Sequence, residues 1–377
     1  MRRVKLEKHI KLVGGGTPSK KKPEYWNGDI PWASVKDFKS KNLADTVDKI
    51  TKEGLENSSS KLVEKGNLII ATRMAVGKAV LTEIDVAINQ DLKAVYTSGD
   101  LDTKYLQYFF DSQTDYFERT GKGATVKGIK IGDIQNLEIP LPTLSEQKAI
   151  VAKLDRAQRL IDIDREMLAK YDELIQSVFL EMFGEDLKEK RNTKTLKEIA
   201  EFIDYRGQSP DKAESGIPLI TAKNVKEAYL NEDPKEYMNV NSFEDWMTRG
   251  VPKPGDVLFT TEAPLGNVCI IPRLEKFAIA QRLICFQLSK DVIAEYLMYY
   301  LLSDFAKFEL DKRATGSTAK GIGSARLKKV PVVIPELEKQ ENFKNLYQKI
   351  IKEKVIIEKS LKKSEELFSS LVQGVFG

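Results

Sequence analysis

The feature that most constrains this chain is that it is written twice. Shifted by about 190 residues, its two halves match in order, and an internal repeat is the first thing to establish because missing it misreads the whole fold. "LEKHI" (6–10) meets "LKEIA" (196–200), and "IPWASVKDF" (30–38) meets "IPLITAKNV" (217–225). "KGNLIIATRMAVGKAVL" (65–81) meets "PGDVLFTTEAPLGNVCI" (254–270), then "AINQDL" (87–92) meets "AIAQRL" (278–283). "KYLQYFF" (104–110) aligns with "EYLMYYL" (295–301), "TGKGATVKGI" (120–129) with "TGSTAKGI" (315–322), "IPLPTLSEQ" (139–147) with "VVIPELEKQ" (332–340), and "LIQSVFLEMFG" (174–184) with "LFSSLVQGVFG" (367–377). A chain of 377 residues is also long for one compact core, so two similar domains are expected.

Each half reads as a mixed lobe followed by a long helix. In the lobes, short β-type runs ("NLIIAT", "DVLFTT", "LICFQL", "VPVVIP") alternate with Gly, Pro and Asn turns. One amphipathic helix interrupts each lobe, "TKYLQYFFDSQTDYFERT" and "AEYLMYYLLSDFAKFEL", with its aromatics at core-face spacing. The first long helix opens after Pro142, where Thr143 or Ser145 offers a cap and Glu146 suits the positive helix end. Ile150, Leu154, Ala157, Ile161, Asp164, Leu168, Tyr171, Ile175 and Val178 then fall at alternating steps of four and three. Phe343, Tyr347, Ile350, Lys354, Ile357, Leu361, Ser364, Phe368 and Leu371 repeat the pattern. This heptad seam predicts two helices wound on each other. If they run antiparallel, the polar seam residues Asp164 and Lys354 come near the middle, where they are expected to meet and fix register.

The expected architecture is therefore α+β: two similar mixed α/β domains and two long helices in a coiled coil, with a pseudo-two-fold internal repeat. The boundaries follow as lobe 1–142, helix 143–184, lobe 185–335 and helix 336–377. Gly377 matches Gly184, so the two chain ends are expected to lie close together.

Composition excludes several chemistries. The longest apolar runs are too short to span a bilayer. The first residues lack the apolar core of a signal peptide, and two cysteines fit a reducing compartment, so the cytoplasm is the expected location. Cys269 and Cys285, in "NVCIIP" and "LICFQL", read as buried strand residues, and with the single histidine, His9, they cannot make a zinc site. No Pro-Pro dipeptide occurs, which an adenine methyltransferase loop needs, and no G-x-x-x-x-G-K-[ST] phosphate cradle occurs. Neither metal nor cofactor is expected.

What remains are glycine-rich cationic loops at matched places: "GGGTPSKKKPEYW" (14–26), "TRMAVGK" (72–78) and "GKGATVKGIK" (121–130) in one lobe, "DYRGQSP" (204–210), "TAKNV" (221–225), "AQRLI" (280–284) and "KRATGSTAKGIGSAR" (312–326) in the other. Glycine permits close backbone approach, its N–H groups suit phosphate oxygens, and Arg, Asn or Gln can read base edges. The net charge of +4 permits a nucleic-acid partner without requiring one. A rival class is a scaffold or adaptor whose two lobes bind peptides and whose coiled coil dimerises; the cationic loops count against it.

Two variable lobes, each followed by a long helix, with the first helix opening on "PLPTLSEQKAI" (140–150) and closing on "FLEMFG" (179–184), resemble the specificity subunit of Type I restriction–modification enzymes over the full length. The second copy, "IPELEKQENF", is more diverged. The resemblance implies that each lobe is a target recognition domain binding one half of an asymmetric, interrupted duplex DNA target. It implies that two long antiparallel helices form a coiled coil that separates the two target recognition domains and docks two methyltransferase subunits, with two motor-nuclease subunits as optional additions. The chain itself would be non-catalytic. In that frame Lys20, Lys21, Lys78, Lys127, Lys130, Lys320 and Arg326 are candidates for phosphate contact. Arg73, Lys36 and Gln90 in the first lobe, and Arg206, Asn224 and Arg282 in the second, are the candidates for sequence choice, and Lys223 is a further DNA-binding candidate. Leu160, Ile163 and Met167, apolar and off the seam, are candidates for the subunit interface. The aromatic-rich helix ends "VFLEMF" and "LFSSLVQGVF" suit either partner docking or packing against the lobes.

Overall fold

A computed structural model describes residues 2–121, 127–205, 210–274, 276–316 and 320–377. The chain forms two compact units, Met1–Arg165 with Lys359–Gly377, and Glu166–Glu358. Each combines one lobe with a stretch of both long helices. No helix among the described residues is long and apolar enough to cross a membrane.

In the first unit the central sheet runs Ile10–Gly14, Leu92–Thr97, Leu68–Ala71, Ala79–Thr82, Asn42–Leu43, antiparallel except for the last pair. In the second unit the corresponding sheet runs Ala200–Asp204, Leu283–Leu288, Val257–Thr260, Val268–Ile270. A second sheet in each lobe pairs Trp26–Ala33 parallel with Val86–Ile88, and Ile217–Ile220 parallel with Ala278–Ile279. The matched strands keep their neighbours, which is why the aligned blocks stay in order.

Strand alternation divides each core into two layers. Leu68 and Ile70 face the helices while Ile69 and Ala71 face the second sheet. In the second unit Val257 and Phe259 face the helices, and Leu258, Cys269 and Cys285 lie between the sheets. The two cysteines are thus buried strand residues, as expected. Burial pushes the Cys269 thiol up to about 12 and raises Cys285 further, so neither is a ready nucleophile.

The amphipathic helix of each lobe is broken once. Thr103–Ser112 and Thr114–Thr120 meet at Gln113. Ala294–Leu302 and Asp304–Arg313 meet at Ser303, whose hydroxyl accepts the Ala306 N–H and so starts a new helix. The aromatics are core, as predicted: Tyr105, Phe109, Phe110, Tyr296 and Tyr300 are all buried.

The first long helix spans Leu144–Glu189 and the second Leu337–Phe376. Thr143, rather than Ser145, caps the first: its N–H and hydroxyl both donate to Glu146 Oε2, at 2.8 and 2.7 Å, and its hydroxyl accepts the Glu146 N–H at 3.4 Å. Thr143 and Glu146 have the three-residue spacing of a capping box. Within each unit the helices run antiparallel. In the first, Arg165 pairs with Glu365 at 2.7 Å, and Phe376, near the end of the second helix, packs on Tyr105 beside the start of the first. In the second, Lys339 pairs with Asp186 at 2.6 Å and Phe179 packs edge-on to Phe343.

The expected Asp164–Lys354 meeting does not occur. Asp164 is buried and accepts from the Ser364 hydroxyl at 3.3 Å, while Lys354 donates to Asp172. The register opposes position 164 to 364 and 354 to 172, so each polar seam residue faces its own partner. The helix-end aromatics are also decided: Phe179, Phe183 and Phe376 are buried in the cores of the lobes. The chain ends do lie close, for Arg3 donates to the carbonyls of Phe376 and Gly377 at 2.9 and 2.6 Å.

Candidate nucleic-acid interface

One turn, present in both lobes, follows the central strand and carries part of the cationic loops. Met74 and Ala263, at matched positions, both have positive φ (64° and 48°). Gly77 closes the first turn at φ +81°, and a Cβ there would stand 2.1 Å from the Phe117 ring, so only glycine fits. Gly77 N–H donates to Ala71 O at 2.9 Å, and Gly266 N–H to Thr260 O at 3.0 Å. The far end of each glycine-lysine segment is pinned to the turn: Ile129 N–H reaches Thr72 O, and Ile322 N–H reaches Thr261 O, both at 3.0 Å. Bridges join Arg73 to Gly128 and Glu262 to Gly321. A tight turn that must hold the end of a second loop accounts for the Gly-Ile that closes both segments.

Around this turn the first lobe gathers several candidates. Gln90 accepts from the Thr17 hydroxyl and donates to Asp91 Oδ2 at 3.3 Å; Arg73 lies 3.9 Å from Asp91 Oδ1. Met74 N–H meets Lys127 O, and Lys127 is exposed, its amine 3.4 Å from Glu118 O. Lys36 pairs with Asp48 at 2.6 Å on the surface. In the second lobe Lys223, Gln281 and Arg282 line a recess of about 130 Å³ with Lys212 and Glu236. Lys212, then Lys223, hold the Glu236 carboxyl below its ordinary value. Arg282 pairs with Glu262 at 3.0 Å. Lys320 pairs with Asp311 at 3.0 Å and lines a recess of about 590 Å³ with Lys307 and Ala263.

Other candidates stand outside this set of contacts. Lys20 and Lys21 are exposed on a turn before the short helix Pro23–Tyr25. Lys130 is exposed at the start of Ile131–Gln135, and Arg326, in Ser324–Leu327, reaches Arg313 O at 3.4 Å. Arg206 lies outside the described residues.

One candidate is corrected. Asn224 is buried; its oxygen accepts from the Thr221 N–H and hydroxyl, and its amide donates to Asn231 O and Pro234 O. Its repeat mate Asp37 likewise accepts from Ser34 N–H and hydroxyl. Both are internal caps, and Asn224 has no donor left for a base. Lys78 donates to Phe38 O, and its repeat mate Asn267 donates to the matching Val225 O at 2.9 Å. That shared contact ties the turn to the segment after the second-sheet strand, and Lys78 itself remains exposed. Sequence reading also passed over Gln147 and Gln340, both fully buried. Gln147 accepts the Asp102 N–H and donates to Asp100 O and Pro142 O; Gln340 does the same with Ile293, Asp291 and Pro335. They staple each long helix to its lobe, and their coincidence in the aligned "SEQ" and "EKQ" was the available signal.

On the helices Leu160, Ile163 and Met167 are 49%, 37% and 36% exposed, and Leu174 continues their face. Ile356 and Leu367, at the repeat positions of Ile163 and Leu174, are exposed too.

Comparison with known proteins gives a consistent result. The family described as "Type I restriction modification DNA specificity domain" matches residues 3–170 and 188–367. The Type I restriction enzyme EcoR124I/EcoR124II specificity subunit of Escherichia coli is 34% identical over 176 residues, covering 45% of this chain and 44% of that protein. The MjaIX specificity subunit of Methanocaldococcus jannaschii is 28% identical over 186 residues, covering 48% and 42%. The chain thus spans less than half the length of these two relatives. The MjaVIII specificity subunit of the same organism is 23% identical over 395 residues, covering 96% and 90%. The crystal structure of a Type I restriction-modification S subunit from M. genitalium has a TM-score of 0.55 at 16% identity, covering 100% of this chain and 96% of that one. A chain from a study of complex assembly and conformational transition of the type I R-M system has a TM-score of 0.58 at 17% identity, covering 100% and 97%. At such identities these structures speak to the fold alone.

Proposed function

This chain belongs to the Type I restriction modification DNA specificity domain family, and from that premise we propose that it chooses the DNA site at which partner subunits act. Each lobe reads one half of a bipartite, asymmetric duplex target. The paired helices set the unread spacing between the half-sites and dock two methyltransferase subunits, and motor-nuclease subunits join in the restricting complex. The chain itself does no bond chemistry.

One observation carries this reading: the two lobes share a loop scaffold, with matched backbone bonds at the turn's closing glycine, at its threonine and at the pinned Gly-Ile, and differ in the polar groups mounted on it. Shared backbone with divergent side chains suits two heads that grip the same kind of ligand and read different letters of it. Lys36, Lys127, Lys223 and Lys320 supply phosphate contact, and Arg73 and Arg282 reach base edges. The duplicated helix-surface positions, Ile163 with Leu367 in the first unit and Ile356 with Leu174 in the second, suit two copies of one partner.

The test is co-expression with a methyltransferase encoded beside this chain, followed by copurification and methylome sequencing. Methylation at a single interrupted motif is expected. Inserting whole turns into one long helix is expected to lengthen the unread spacer; a contiguous motif, or a spacer indifferent to the insertion, defeats the reading.

A further inference from the structure

The turn after the central strand places four side chains at two shared positions. Thr72 N–H donates to Asp91 O at 2.8 Å and its hydroxyl to the same oxygen at 2.9 Å. Thr261 N–H donates to Arg282 O at 3.1 Å and its hydroxyl to the same oxygen at 3.2 Å. With the matched bridges to Gly128 and Gly321, these bonds make Arg73 and Glu262 occupants of one position, and Asp91 and Arg282 occupants of another. An ion pair spans the two positions in each lobe, and its polarity is reversed between them.

Stability does not account for this. Exposed ion pairs contribute little to folding, and Arg73, Arg282 and Glu262 are 65%, 55% and 50% exposed. What both pairs share is a place beside the pinned end of the glycine-lysine segment. We propose that the pair is a specificity element: Asp91 and Glu262 are positioning residues that hold the guanidinium which reads a guanine. The reversal delivers that guanidinium from opposite sides of the same turn, so the two half-sites place their guanine differently. The proposal rests on the DNA-reading function above.

The geometry suits it. Asp91 is largely covered, and its Oδ2 takes the side-chain amides of Asn89 and Gln90 at 3.4 and 3.3 Å, which leaves Oδ1 toward Arg73. Glu262 engages Arg282 through Nε, so the contact is not made by the terminal amines that would meet the O6 and N7 of guanine.

The experiment selects duplexes from a randomised pool with the full-length chain, its Asp91→Ala and Glu262→Ala variants, and the reversed pair Arg73→Glu with Asp91→Arg. Thermal unfolding shows that each is folded; the reversed pair retains an ion pair and guards against a misfolded alanine variant. Asp91→Ala is expected to cut guanine preference at one position of one half-site about tenfold, leaving the other half-site unchanged. Glu262→Ala does the same in the other half-site, and the reversed pair shifts the preferred guanine in the first. A uniform loss of affinity with an unaltered motif overturns the proposal and leaves the DNA-reading function standing. If the unmodified chain enriches no interrupted motif, both fall together.

Discussion

Where the first unit lines the inner face of its helices with Phe109 and Leu154, the second places Tyr300 and Tyr347 at the same repeat positions. Other positions match: Tyr105 donates to Pro140 O at 2.9 Å as Tyr296 does to Val333 O at 2.6 Å, and Phe376 fills the place of Phe183. The extra Tyr300 hydroxyl is accommodated because Pro331 O lies 2.9 Å away. The contrast separates two kinds of constraint. Buried positions that support the strand-to-helix junction are held nearly identical, because a cavity or an unpaired polar group there is costly. Surface positions on the shared turn are free to exchange even the sign of their charge.

The largest expected effect tests the symmetry of the cores. Phe183→Ala and Phe376→Ala should each destabilise their own unit by about 3–5 kcal/mol, read as urea midpoints with a probe in each unit. A much smaller loss in one would show that the units tolerate cavities unequally. Next, Gln147→Ala and Gln340→Ala should each cost about 1–3 kcal/mol, since the N–H of Asp102 or Ile293 loses its acceptor; hydrogen exchange at those amides locates the loss.

Alkali should distinguish the units. Burial pushes the phenols of Tyr105, Tyr300 and Tyr347 up to about 12 and raises Tyr108, Tyr296 and Tyr299 as well. A raised phenol contributes stability that is fully present below its ordinary value near 10 and is lost as pH rises from there through the folded value. The second unit, with two more such groups at matched positions, should weaken first between about pH 10 and 12, and Tyr300→Phe should narrow the gap in denaturation series. The smallest effect is on binding. Lys127→Ala and Lys320→Ala should each lower the slope of log affinity against log salt by about 0.9; loss in only one lobe would show that only one segment lies on the backbone.

The heptad pattern made both long helices legible, down to which residues face the seam, because that periodicity is intrinsic to the helix. The partner of Asp164 was not legible, since it depends on how far one helix slides along the other, and Ser364 and Lys354 lie on the same stripe. Cationic loops were visible as composition, yet Asn224 looked like a ligand group until the fold turned it inward, and Lys78, though exposed, spends a hydrogen bond on Phe38 O. Their aligned mates Asp37 and Asn267 held the clue, but only the contacts with Thr221 and Phe38 give it meaning.

By itself, then, the sequence determined the duplicated plan, the alternation of strands and the apolar stripes of the helices, all consequences of local period and chain order. The tertiary structure alone decided the register of the seam, the burial of Gln147 and Gln340, and the meeting of Arg73 with Asp91 and of Glu262 with Arg282. Those pairings join residues that are not neighbours in the chain, and no local pattern specifies which such atoms packing will bring together.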